Sequence, residues 1–266
     1  MMQAISTTLP YTLVDQPLLR DAVSCESHGR ITVDLSSWVE RGINGPEVLR
    51  MVRSGQVDIG AGSMTLLSGD LPVLEGADLA GMSRDLGQVR RVADAMEPLL
   101  DLELARIGVH LLAIYPMSGQ MLFCRKPIAS MDDLHELRIR SQGPSTADLF
   151  RSLGAQPISI TFGESYLALE RGVIDCGLTG ASIGNSSKWH EVSTYLYRPA
   201  LTWGVAGYYA DLQWWRHLDE PTRALLEQRF AEIKAAQWKL AFDSTADGLA
   251  CNAGGAWGCR MHTLAR

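Results

Sequence analysis

Long apolar runs are missing from this chain of 266 residues. No segment approaches the roughly 20 consecutive apolar residues a membrane helix needs. An excess of basic charge is missing too. The formal net charge is −6, so nothing points to nucleic acid or an anionic membrane, and an anionic ligand has to be attracted by a local cluster. The six histidines are scattered without paired spacing, and the five cysteines include no Cys-x-x-Cys. A catalytic metal, structural zinc and thioredoxin-type chemistry are therefore unsupported. No Gly-x-Gly-x-x-Gly follows a predicted strand and no Walker sequence occurs, so nucleotide binding is unsupported and no cofactor is expected. The amino terminus, Met1-Met2-Gln3-Ala4-Ile5, carries neither a basic segment nor an apolar core. A signal peptide is thus not visible, and the protein is expected either to be cytoplasmic or to have had such a segment removed.

What is present is an ordinary globular composition, 46% apolar and 20% charged, in a chain long enough for one large domain or two lobes. The most informative stretch runs from Leu137 to Gly180. It reads as a strand over Leu137–Arg140, a helix with Pro144 in its first turn and Gly154 past its end, and a strand over Pro157–Ile160. A helix over Gly163–Glu170 stopped by Gly172 follows, then a strand over Val173–Cys176. Strands alternating with short helices predict an α/β fold with a mostly parallel sheet, which binds ligands where loops leave the strand ends.

This unit has an echo. Arg53-Ser54-Gly55-Gln56-Val57-Asp58-Ile59-Gly60 lines up with Glu170-Arg171-Gly172-Val173-Ile174-Asp175-Cys176-Gly177. In both, a glycine ends a helix and an aspartate opens a buried strand. One copy in each half favours two lobes of related architecture. Elsewhere, strands are predicted over Ala4–Thr7, Arg30–Leu35 and Val109–Tyr115. A helical region over Leu86–Leu104 carries apolar Val89, Val92, Met96 and Leu99. A long helix from Glu220 to about Asp243 shows Leu226, Phe230, Ile233 and Leu240 as its apolar stripe.

Arg140, at a strand end, is the leading candidate for holding a carboxylate. A guanidinium matches that group bidentately, the helix starting near Pro144 points free amides toward the same space, and Ser141, Gln142, Ser145 and Thr146 add donors. An arginine so placed is more often a solvated residue or half of a weak ion pair. Arg138 is expected to face the opposite side of the strand and not to share the site. Gly180-Ala181-Ser182-Ile183-Gly184 matches the Gly-x-Ser-x-Gly elbow of α/β-hydrolases, which makes a Ser182 esterase an alternative, although no HGGG-like oxyanion motif precedes it. Trp203 suits pocket or core equally. Cys251 and Cys259, in a glycine-rich tail, either close a small disulfide loop or remain free thiols, and the odd count leaves at least one thiol free.

The same stretch resembles the solute-binding proteins of TRAP transporters, the DctP-like extracytoplasmic receptors. The pattern is carried by Asp133-Leu134-His135-Glu136-Leu137-Arg138-Ile139-Arg140, by Gly154-Ala155-Gln156-Pro157, and by Phe162-Gly163-Glu164-Ser165-Tyr166-Leu167-Ala168-Leu169 running through Gly172 to Asp175. Weaker similarity extends from Thr8-Leu9-Pro10 to Cys251-Asn252. Cys176 to Gly180, Lys188 to Val192 and Cys251-Asn252 match a subgroup.

The resemblance implies a type II-like periplasmic binding fold of two α/β lobes with an interlobe cleft and a long bridging helix. Residues 1–122 with 203–240 would form one lobe, and 123–202 with 241–266 the other. It implies a periplasmic receptor, not an enzyme, whose signal peptide has been removed. The receptor would capture a small organic acid and deliver it to the transporter's membrane subunits. The family's carboxylate-binding arginine falls on Arg140. Where some members carry a second arginine this chain has Gln120, which argues against a second acidic group on the ligand. Where many have Glu-Asn-Pro, it has Leu178-Thr179-Gly180, so Thr179 would take the hydrogen-bonding role and Gly180 would leave pocket volume. Phe162, Trp203 and Tyr115 would supply apolar walls. A ligand-sensing domain of the same fold is a further alternative.

Overall fold

The structure is a computed structural model that describes residues 1–3, 6, 8–38, 40–43 and 45–252. In chain order its elements are β1 (Met2–Gln3), a π-helical stretch Pro10–Asp21 continuing into α1 (Ala22–Glu26), β2 (Ser36–Ser37), α2 (Gly45–Arg53), β3 (Ile59–Ser63), α3 (Met64–Leu67), α4 (Leu86–Arg106), β4 (Val109–Tyr115) and β5 (Gln120–Cys124). Then follow β6 (Arg138–Arg140), α5 (Pro144–Ser152), β7 (Gln156–Ile158), α6 (Phe162–Glu170), β8 (Cys176–Gly180), α7 (Ala181–Ser186), β9 (Tyr195–Thr202), β10 (Ala206–Asp211), α8 (Leu212–His217) and α9 (Glu220–Asn252). No helix among the described residues is long and apolar enough to cross a membrane.

The chain divides into two compact units. One comprises residues 1–77, 90–116 and 205–240, the other 78–89, 117–204 and the chain from 241 on. The boundary expected at residue 122 therefore falls at Pro116, because β5 is hydrogen-bonded between β8 and β9 and belongs to the second sheet. Residues 78–89, expected in the first lobe, also group with the second unit.

Each unit is built on one five-stranded mixed sheet, ordered β2-β1-β3-β10-β4 in the first and β7-β6-β8-β5-β9 in the second. The sequence echo is an echo of topology. Gly55 and Gly172 both take left-handed backbone, φ +68° and +69°, ending a helix as glycine does at low steric cost. The strands that follow, β3 and β8, each lie at the centre of their sheet. Each is parallel to one neighbour, β1 or β6, and antiparallel to the other, β10 or β5. The carbonyls of Asp58 and Asp175 accept equivalent backbone bonds, from the amides of Asp211 and Arg125, both at 2.9 Å.

Both faces of the second sheet are covered. Leu122, Cys124, Ile139, Cys176 and Leu178 pack on one face, and Met121, Phe123, Leu169, Trp189 and Leu196 on the other. Central strands buried on both sides read as continuous apolar runs, as β5 does here. Cys124 and Cys176 form a disulfide across β5 and β8. They are a directly opposed pair next to the hydrogen-bonded pair Arg125–Asp175, the position at which antiparallel Cα atoms approach most closely. This bridge was not anticipated. Cys25 is an exposed free thiol, whereas Cys259 lies outside the described residues, and with it the loop considered for Cys251.

Several local expectations change. Of the strand expected over Ala4–Thr7 only Ser6 is described. Residues 31–35 alternate as predicted but find no ladder partner, and pairing starts at Ser36 and Ser37 against Met2 and Gln3. On α4 the buried stripe is Val89, Ala93, Leu100 and Leu104, whereas Val92 and Leu99 are exposed. Helix α9 buries Leu226, Phe230 and Ile233 as expected and continues beyond Asp243 to Asn252.

Candidate functional site

Arg140 is the last residue of β6, paired with Gly177 of β8. Beyond it the chain turns away into α5, so the carbonyl of Leu178 is left without a strand partner on that side. The Arg140 Nη1 donates to this oxygen at 2.7 Å and its Nε to the Ile160 carbonyl at 3.3 Å. Two of five guanidinium N–H groups are thereby committed, both to backbone. The plane is fixed while three donors, including both on Nη2, have no partner among the described residues, which suits end-on pairing with a carboxylate. The guanidinium carbon lies 5.8 Å from the Phe162 ring centroid and 5.9 Å from that of Trp189, and those two rings stack at 5.4 Å.

Arg140 is 5% exposed, and among the described residues no carboxylate lies within ion-pair distance of it. Burial pushes its pKa down to about 10, because removing a cation from water penalises the charged form. A buried cation without a counter-ion is costly to keep.

Arg138 behaves differently, for a reason other than the one expected. Residues i and i+2 of a strand share a face, so Arg138 and Arg140 project to the same side of β6, while Ile139 enters the core on the other. Arg138 is kept out of the site by Asp175. Its Nε and Nη2 reach the two carboxylate oxygens at 3.0 and 3.1 Å, and its backbone amide adds a bond at 3.0 Å. Burial would raise the Asp175 pKa, but the side-chain and backbone hydrogen bonds from Arg138 overcome that and hold it below the usual carboxylate range. The aspartate of the repeated motif thus has a structural partner.

A chain of amides runs beside Arg140. Gln142 is pinned by its backbone N–H, which donates to the Thr146 Oγ1 of α5 at 3.1 Å. Its Nε2 donates to the Gln120 Oε1 at 2.7 Å and to the Leu178 carbonyl at 3.2 Å. Gln120 in turn donates from Nε2 to the Ser118 carbonyl at 2.7 Å. Because both ends are backbone carbonyls, which only accept, the orientation of each amide is determined. Gln120 is 2% exposed, and its amide fits between Gly180 and Gly204. A Cβ at either position would stand 3.1 or 3.0 Å from its Nε2. Ser182 donates from its hydroxyl to the Ser118 Oγ at 3.2 Å, not to a histidine.

The structure therefore brings Arg140, Gln120, Gly180 and Phe162 together in the second unit. Phe162 opens α6, whose start is held by a capping box in which Glu164 accepts from the Thr161 amide at 2.9 Å. Thr179 is buried in the same sheet, opposite Met121, on the face to which Arg140 projects and not on that of Gln120. Trp203 is also in the second unit, but in a core setting. Its backbone N–H donates to Asp78 at 2.9 Å and its indole N–H to the Ser83 carbonyl at 3.3 Å. Tyr115 lies in the first unit, fully buried and stacked on Tyr208 at 4.7 Å, a core position there. Two contributors escaped the sequence reading. Trp189 carries no local signal. Gln142 stands two residues past Arg140 and appeared only among several nearby donors.

Comparisons with known proteins agree with this architecture. The family model for DctP, bacterial extracellular solute-binding protein family 7, matches residues 14–249. The 2,3-diketo-L-gulonate-binding periplasmic protein YiaO of Escherichia coli is 27% identical over 156 residues, 58% of this chain and 48% of that protein. The chain covers 34%, 52% and 36% of three other curated relatives, about half their length or less. Among solved structures, DctP7 of Bordetella pertussis, an extracytoplasmic solute receptor binding pyroglutamic acid, superposes with a TM-score of 0.89 at 23% identity, covering 99% of this chain and 86% of that one. A TRAP periplasmic solute-binding protein of Desulfovibrio salexigens with bound orotic acid gives a TM-score of 0.86 at 18% identity, covering 99% and 85%. These likenesses show the two-lobe α/β periplasmic binding fold. Proteins of this kind are solute-binding receptors and not enzymes, and relatives are described as periplasmic or extracytoplasmic. With most of its length matched by the family model and its two sheets in the corresponding fold, the chain belongs to the DctP family of bacterial extracellular solute-binding proteins.

Proposed function

We propose that this protein is a periplasmic receptor that captures a small organic acid through a single carboxylate held by Arg140 and hands it to the membrane subunits of a TRAP transporter. The observation that carries the reading is the buried Arg140 guanidinium, with no carboxylate partner among the described residues and three of its N–H groups uncommitted. A ligand carboxylate supplies the missing counter-charge in a desolvated setting, where charge-assisted bidentate bonds are strong. The other polar groups of the site are neutral amides and hydroxyls, which suits a ligand with one acidic group and additional polar atoms. Pyroglutamate, orotate and 2,3-diketogulonate, the ligands named for the relatives above, all fit that description. The cross-strand disulfide Cys124–Cys176 suits an oxidising compartment and supports a periplasmic location.

The test is a thermal-shift screen of the purified protein against mono- and dicarboxylic acids, including those three. A ligand that binds the folded state raises the melting temperature, by about 2.7 kcal/mol of added stability at a hundredfold excess over Kd. Stabilisation by monocarboxylates is expected. Stabilisation by dicarboxylates alone, or by neutral compounds as readily as by acids, would overturn the reading of Arg140 as the single charged anchor.

A further inference from the structure

We infer that Gln142 is a specificity-determining residue, and that the Gln142–Gln120 amide pair selects acids bearing an N–H or O–H donor beside the carboxylate, a lactam acid above all. This rests on the proposed role of Arg140 and extends it to the rest of the ligand. The donor inventory carries the argument. Gln142 spends both Nε2 hydrogens, on the Gln120 Oε1 and the Leu178 carbonyl. Among the described residues nothing donates to its Oε1. Gln120 accepts at Oε1 and spends one Nε2 hydrogen on the Ser118 carbonyl, keeping the other.

The coupled pair therefore offers one acceptor and one donor. Arg140 offers donors only. Arg140 and Gln142 meet at one oxygen, the Leu178 carbonyl, at 2.7 and 3.2 Å. A ligand whose carboxylate pairs with the guanidinium thus carries its neighbouring atoms past the Gln142 amide. A ring N–H next to the carboxylate finds its acceptor in Gln142 Oε1, and a ring carbonyl finds its donor in Gln120 Nε2. An acid with only methylene groups there leaves both protein groups unpaired, and sites built to hydrogen-bond reject such analogues strongly. Gln142 is only partly buried whereas Gln120 is almost fully so, so the acceptor is the more accessible of the two.

The experiment is isothermal titration of the wild-type protein and Gln142→Leu with pyroglutamate and with cyclopentanecarboxylate, a ring of the same size lacking both the N–H and the ring carbonyl. Wild type is expected to bind pyroglutamate at least about tenfold tighter than cyclopentanecarboxylate, the equivalent of one or two hydrogen bonds. Gln142→Leu is expected to remove that preference, pyroglutamate losing at least about tenfold more affinity than cyclopentanecarboxylate. Equal affinity of wild type for the two acids overturns the inference, and this arm does not depend on how the variant folds. A variant that weakens both acids equally also overturns it, since Gln142 would then act only by supporting Arg140. If neither acid nor any other carboxylate binds wild type, the reading of Arg140 fails instead, and the two failures are told apart by that outcome.

Discussion

Replacing Arg140 by Met removes the guanidinium and keeps an unbranched apolar side chain in its place. The ligand carboxylate then loses a desolvated, hydrogen-bonded cation. Truncating one partner of such a pair costs about 2–5 kcal/mol, which is about thirtyfold to several thousandfold in Kd. The stability of the ligand-free protein should respond differently. Loss of the side chain relieves a buried charge with no counter-ion among the described residues, but withdraws a donor from each of the Leu178 and Ile160 carbonyls. Leu178 keeps its bond from Gln142. The opposed effects, each on the order of 1–3 kcal/mol, should nearly cancel, so the melting temperature without ligand is expected to move by only a few degrees. Arg140→Lys should fall between, because an ammonium cannot hold two carbonyls and a carboxylate in one plane. Titration calorimetry gives the affinities and calorimetric melts the stabilities. The pH dependence adds an independent reading. Burial sets the Arg140 pKa at about 10, and it is the protonated form that pairs with the carboxylate. Affinity should be level from about pH 6 to about pH 9 and fall as pH rises through about 10, a fall absent from the residual binding of Arg140→Met. Unchanged affinity of that variant for the cognate acid would refute the clamp outright.

Gly180→Ala places a methyl group against the Ser118 Oγ and 3.1 Å from the Gln120 Nε2. Overpacking of this kind costs about 1–3 kcal/mol of stability, and the displaced amide should also weaken ligand binding. Urea melts and titrations indistinguishable from wild type would show that neither contact matters. Replacing both Cys124 and Cys176 by Ala opens a bridge between positions separated by 52 residues. The chain-entropy relation for a loop of that length gives about 4 kcal/mol, so the double variant should melt well below the oxidised protein and close to wild type treated with a reductant. Identical melts with and without reductant, or a loss of two titratable thiols from the untreated protein on the double substitution, would contradict the bridge.

The fold class, the duplicated helix–glycine–strand unit and the strand end that carries Arg140 are legible in residue order alone. These are local properties. Glycine in left-handed backbone ends a helix wherever it stands, and a guanidinium two residues before a turn into a helix is placed by covalent geometry alone. The motif spacing also sufficed for the DctP resemblance, which needs residue order and no contacts. The remaining features depend on which strands become neighbours. Cys124 and Cys176 are far apart in sequence and meet because β5 and β8 pair antiparallel in one register. Arg138 is withdrawn from the site by Asp175, the residue just before the central strand β8. Trp189 reaches Arg140 through the packing of the sheet's second face, and Gln142 joins Gln120 across the end of β8. The absence of a carboxylate partner for Arg140 among the described residues, on which the functional reading rests, is of the same kind. Whether a buried cation has a counter-ion depends on every chain segment folded around it, and no window of sequence contains that information.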